Sequence, residues 1–125
     1  MITVLIVEDE APIADLLAAL LSEEGYRVVT ARDGREGLAR LAAERPDLVL
    51  SDIMMPRLDG IGLCQQMQAD PAYRAIPLVF MSAVPRALPP DGCRYAAFVA
   101  KPFDLDQVLD TVTRVLAGPG PGLAP

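Results

Sequence analysis

Five ionisable or hydroxyl groups stand where apolar runs of this chain end: Glu8-Asp9, Asp52, Ser82 and Lys101. If those runs are neighbouring strands, three carboxylates, a hydroxyl and an ammonium converge. Carboxylates about 5 Å apart repel by about 3 kcal/mol per pair at an effective dielectric of 20. A bare cluster would therefore raise its own pKa values rather than stay ionised. A divalent cation and one lysine balance three negative charges. Oxygen-only donors suit Mg²⁺, which binds through few carboxylates and keeps water and phosphate oxygens. A carboxylate held beside such an ion can accept a phosphoryl group, because aspartyl phosphate is an established type of covalent intermediate. Ser82 and Lys101 could then hold the incoming phosphoryl oxygens.

The elements that must position these groups alternate along the chain. Ile2 to Val7 is apolar except for Thr3 and reads as a buried parallel strand. Pro12 suits a first helical turn, and Ile13, Leu16, Leu17, Leu20 and Leu21 follow at helical spacing until Gly25. Arg27 to Ala31 is a short strand; Asp33 and Glu36 form a capping-box pattern before a helix containing Leu38 and Leu41, closed by Pro46. Asp47 to Ser51 is a third strand, ending at Asp52. After a loop at Met55-Pro56 and Asp59-Gly60, a helix carries Leu63, Cys64 and Met67. Pro77 to Ser82 and Tyr95 to Ala100 read as strands four and five. Asp104 and Gln107 cap a last helix whose face is Leu105, Val108, Leu109, Val112, Val115 and Leu116. Repeated βα units predict an α/β fold, a parallel sheet with helices on both faces. Such sheets bind ligands beyond the carboxyl ends of their strands, where the charged groups stand.

Four segments, in order and each at a strand end, resemble the receiver domains of bacterial two-component response regulators. Val7-Glu8-Asp9-Glu10 is similar to their acidic pair, and Asp52-Ile53-Met54-Met55-Pro56-Arg57-Leu58-Asp59-Gly60 to their phosphorylation loop. Met81-Ser82-Ala83 resembles their hydroxyl and small residue, and Phe98-Val99-Ala100-Lys101-Pro102-Phe103 their lysine-proline signature with a switch aromatic. The likeness covers about residues 1 to 117, leaving residues 118–125 as a Gly/Pro-rich tail or linker. It implies a doubly wound five-stranded parallel sheet of flavodoxin-like order 2-1-3-4-5. It also implies Asp52 as phosphoacceptor, and Mg²⁺ held by Asp9, Asp52, the Met54 backbone carbonyl and Glu8, the last through water. Ser82, Ala83 and Lys101 would bind the phosphoryl group, Phe98 would be the switch aromatic, and the bond before Pro102 would be cis. The implied partners are a histidine kinase or phosphotransfer protein and an output protein or domain. The domain would accept phosphate and assist its own phosphorylation and dephosphorylation without turning over an external substrate. The family places a further helix between strands four and five. Here that stretch holds Pro85, Pro89, Pro90 and Gly92, so this helix is expected to be shortened or missing.

Composition excludes other classes. At 125 residues with 52% hydrophobic content, one domain can bury a sizeable core, and disorder is disfavoured. A net charge of −6 argues against nucleic-acid binding by this domain itself. No apolar run spans a bilayer and no signal peptide is visible, so a cytoplasmic protein without membrane contact is expected. On that footing Cys64 and Cys93 are expected as free thiols rather than a disulfide. An aspartate-nucleophile phosphatase would need a second carboxylate near Asp52, where Met54 stands instead. A flavin phosphate would be repelled by Glu8, Asp9 and Glu10. A pseudo-receiver, binding proteins without phosphorylation, is the remaining alternative.

Overall fold

The structure is a computed structural model that describes residues 1–83 and 93–118. The strands are β1 (Thr3–Val7), β2 (Arg27–Ala31), β3 (Leu48–Asp52), β4 (Leu78–Ser82) and β5 (Ala97–Ala100). The helices among the described residues are α1 (Ala11–Glu23), α2 (Gly34–Glu44), α3 (Gly60–Ala69) and α4 (Leu105–Ala117). All strand pairs are parallel and the order is β2-β1-β3-β4-β5. The expected shortened or missing helix between β4 and β5 concerns residues 84–92, outside the described residues, as are residues 119–125 of the expected tail.

β1, β3 and β4 are buried along their whole length, as a sheet covered on both faces requires. The pleat sends alternate residues to opposite sides. Val4, Ile6, Leu48, Leu50, Val79 and Met81 pack with Leu17 and Leu21 of α1 and Val108 and Val112 of α4. Leu5, Val7, Val49, Leu78 and Phe80 pack with Leu41 of α2 and Leu63, Cys64 and Met67 of α3.

Helix ends follow the local chemistry. Asp33 caps α2 by accepting from the Glu36 N–H at 2.9 Å, and Glu36 reaches back to the Arg32 N–H at 3.2 Å. Asp59 caps α3 through the Gly62 N–H, and Asp104 caps α4 through that of Asp106. Gly25 takes φ +93°, a conformation open to glycine, where α1 turns into β2.

Three expectations are corrected. Leu16 is 48% exposed, because α1 buries only the narrower stripe Ala14, Leu17 and Leu21. Tyr95 and Ala96 precede β5 rather than belonging to it; the Tyr95 ring packs on Phe80 with centroids 5.6 Å apart. Cys64 and Cys93 are joined in a disulfide, not free, because the fold brings their Cα atoms to 5.4 Å, inside the range such a bond bridges.

Candidate functional site

Register brings the strand ends together. Val7 is opposite Ser51, Asp52 opposite Met81 and Ser82 opposite Ala100, so the next residues along, Glu8 and Lys101, flank Asp52 at one edge of the sheet. Backbone bonds extend the ladder past the strands: Glu8 N–H to Ala31 O at 2.9 Å, Ile53 N–H to Met81 O at 3.1 Å, and Lys101 N–H to Ser82 O at 2.8 Å.

The Lys101 ammonium lies between two carboxylates, 2.7 Å from Glu8 Oε1 and 3.3 Å from Asp52 Oδ2. The other oxygens are also engaged. Glu8 Oε2 accepts from the Glu10 N–H at 3.1 Å, and Asp52 Oδ1 accepts from the Ile53 N–H at 2.9 Å. Glu8 is 1% exposed and Asp52 7%, whereas Asp9 faces solvent. One carboxylate oxygen from each of Glu8, Asp9 and Asp52 lies within 4.8 Å of the others. Asp9, Glu10, Asp52, Met54, Ala83 and Lys101 line a cavity of about 350 Å³ over this cluster.

Electrostatics follow from the geometry. Burial pushes the Glu8 carboxyl above its ordinary range and nearby Asp52 adds to this, against the opposing pull of Lys101 and the Glu10 N–H. Burial pulls Lys101 down, but its contacts with Glu8 and Asp52 outweigh that and raise it. Among the described residues, three carboxylates stand against one ammonium, a formal excess of two negative charges in a partly desolvated mouth. This is an all-oxygen donor set with a charge deficit that one divalent cation fills, and it fits Mg²⁺.

The remaining expected residues are arranged less directly. Ser82 is buried at the end of β4, and Ala83 follows at the cavity wall. Met54 lines the cavity while its side chain is 65% exposed. Phe98 is half-buried and packs with the α2–α3 side of the core. The Lys101–Pro102 bond is cis.

Two supports were not singled out from the sequence. Gly60 donates to Ile53 O at 2.8 Å, and a Cβ there would strike the Asp52 carbonyl oxygen, so only glycine lets α3 start this close to the acceptor candidate. The loop after Asp52 is also latched to the start of α2. Arg57, at φ +66°, donates to Asp33 Oδ2 at 2.7 Å, and the Gly34 N–H donates to Leu58 O at 2.9 Å. The Glu36 N–H and the Arg57 guanidinium hold the Asp33 carboxyl below its ordinary range. The Asp-Gly pair was a visible signal for Gly60; nothing local pointed to Arg57.

Comparison with known proteins gives consistent matches. The family model described as "Response regulator receiver domain" matches residues 4–113. The chain is 42% identical over 115 residues to "Probable transcriptional regulator ycf27" of Guillardia theta, covering 90% of this chain and 44% of that protein. It is 46% identical over 65 residues to "Alkaline phosphatase synthesis transcriptional regulatory protein PhoP" of Bacillus subtilis, covering 52% of this chain and 27% of that one. The chain thus spans less than half of these relatives. Among solved structures, chemotaxis response regulator CheY4 of Vibrio cholerae superposes with TM-score 0.86 at 29% identity, covering 92% of this chain and 98% of that one. The signal receiver domain of a histidine kinase from Syntrophus aciditrophicus gives TM-score 0.84 at 33% identity, covering 94% and 92%.

Proposed function

The chain belongs to the response regulator receiver domain family, and on that premise we propose that Asp52 accepts a phosphoryl group from a histidine kinase or phosphotransfer protein. The observation that carries this reading is the Lys101 ammonium bridging Glu8 and Asp52 at 2.7 and 3.3 Å, with Asp9 completing the carboxylate cluster.

In this reading Asp52 Oδ2 attacks phosphorus while Oδ1 stays fixed by the Ile53 N–H. The bond from phosphorus to the donor histidine nitrogen breaks as the bond to Asp52 forms, and the imidazole leaves neutral because its other ring nitrogen carries a proton. Lys101 turns from Asp52 to an oxygen of the arriving group, with Ser82 as a second donor. Asp9, Asp52 and the Met54 carbonyl would hold Mg²⁺, with Glu8 behind them, and the ion would supply charge neutralisation at the phosphoryl oxygens. Phe98 reports the change by moving with the Ser82 end of β4, a local charge event with a distant readout.

The domain is a stoichiometric acceptor, spanning about residues 1–117, that controls an output partner in the cytoplasm. In support, no helix among the described residues is long and apolar enough to cross a membrane. The net charge of −6 leaves any nucleic-acid contact to another domain or protein. The test is incubation with Mg²⁺ and a small acyl phosphate, followed by intact-mass measurement. One phosphate adduct is expected on the parent chain, and none after Asp52→Asn or in chelator. An adduct that survives either change refutes the assignment.

A further inference from the structure

The disulfide joins two elements that both lead to the site. Cys64 lies in α3, which begins at Gly60 against the backbone of Asp52 and Ile53. Cys93 lies just ahead of β5, which carries Phe98 and leads to Lys101. The two cysteines are unequally exposed: Cys64 is 1% exposed, whereas Cys93 is half-buried. Of the two, Cys93 offers an incoming thiolate the more open approach, which would leave Cys64 as the departing sulfur. The buried side is prepared for opening, because Cys64 Sγ stands 3.5 Å from the Arg94 carbonyl oxygen. A thiol released there has an acceptor at hand, so opening strands no buried polar group. Disulfides in reducing compartments are usually transient or sensing rather than structural.

We propose that Cys64–Cys93 is a thiol–disulfide exchange site for a cellular dithiol, and that its redox state sets how firmly the segment leading to Phe98 and Lys101 is held. A thiolate of the dithiol attacks Cys93 Sγ, the Cys64–Cys93 bond breaks, and Cys64 leaves as a thiolate that takes up a proton. The second thiol of the reductant resolves the mixed disulfide, releasing Cys93 as a thiol and closing the reductant into its own disulfide. Two electrons pass to the protein, and an oxidised dithiol reverses the reaction. With the bond closed, residues 93–96 are fixed to α3. With it open, the Ala96 N–H bond to Leu78 O at 2.7 Å and the Tyr95–Phe80 ring contact remain to hold them. The effect on the switch rests on the function proposed above for Asp52 and Phe98; the exchange chemistry does not.

The test uses the native 125-residue chain. Oxidised protein is treated with dithiothreitol, alkylated and weighed, and the redox forms are compared by hydrogen exchange. Two alkylated cysteines are expected without denaturant, and a monothiol should be trapped on Cys93 rather than Cys64. Reduction should speed exchange over residues 93–96 by about tenfold or more and leave β1 unchanged. Cys93→Ser should match the reduced chain in either buffer. A bond that opens only in denaturant, a mixed disulfide on Cys64, or equal exchange in both forms overturns the inference. Absence of phosphate on Asp52 in both forms would refute the phosphoacceptor reading and leave these results to decide the exchange site on their own.

Discussion

Replacing Lys101 with Met removes the one ammonium seen among the carboxylates while keeping much of the side chain's bulk. At an effective dielectric of 20, Coulomb attraction at 2.7 and 3.3 Å is about 6 and 5 kcal/mol before desolvation. The net loss is capped, because Glu8 can escape by taking up a proton. From an ordinary carboxyl pKa near 4.3, that protonation costs at most about 3.7 kcal/mol at pH 7, and less here, because Glu8 is already held above that range in the parent. The loss therefore falls toward or below the lower end of the roughly 3–5 kcal/mol typical when one partner of a buried pair is removed. The sign with pH follows. The Glu8 carboxyl is already pushed up in the folded chain, and removing Lys101 pushes it further. The folded variant therefore binds more protons than the unfolded chain, and it loses stability as pH rises. Urea unfolding by circular dichroism in chelator should show a deficit of about 2–3 kcal/mol at pH 7. By the same proton cost, the deficit should shrink by up to about 2 kcal/mol near pH 5.5. Mg²⁺ should stabilise the variant more than the parent. A deficit below about 1 kcal/mol, the range of an exposed ion pair, or one that does not change with pH, would refute Lys101 as the compensating charge.

Gly60→Ala should cost about 1–3 kcal/mol in urea unfolding and impair phosphate uptake, because its Cβ meets the Asp52 and Ile53 backbone. Gly62→Ala should cost less, since what it meets first is the end of the Leu58 side chain. Asp33→Ala should lose about 1–2 kcal/mol near neutral pH, from the α2 cap and the Arg57 latch. Because the folded Asp33 carboxyl is held low, its contribution is full above the ordinary aspartate range. It fades as pH falls through the folded value, so unfolding measured against pH should converge for parent and variant in acid. The phosphorylated form should decay slowly, since the Met54 side chain cannot orient water by a hydrogen bond. Intact-mass time courses should show Met54→Asn shortening that lifetime, and an equal or longer one would refute this.

The sheet and its charged ends were readable because each apolar run stops at a charge or hydroxyl, and because α2, α3 and α4 begin at capping aspartates and α1 at a proline. Glu8, Asp52 and Lys101 needed no long-range knowledge to be nominated, as parallel βα units carry strand ends to one edge. Their pairing was not readable: Lys101 and Glu8 are 93 residues apart, and no local pattern says which carboxylate takes the ammonium. Arg57 looked like a loop residue because its partner, Asp33, lies 24 residues back. Leu16 shares the helical period of Leu17 and Leu21, but periodicity does not report how wide a stripe the sheet covers. The expectation for the cysteines rests on compartment, whereas their bonding follows from the approach of α3 to the segment before β5.

The sequence distances within the site also order events during synthesis. Asp52 and Glu8 are made early, yet the ammonium that balances them arrives only with residue 101, which also completes the β5 side of the sheet. At about 5–20 residues per second on the ribosome, the 49 residues from Asp52 to Lys101 take several seconds to add. Until then the nascent chain carries Glu8, Asp9 and Asp52 without their lysine, and contacts so distant in sequence form late. A partly made chain therefore lacks both the Lys101 charge and the β5 side of the sheet until that stretch is added.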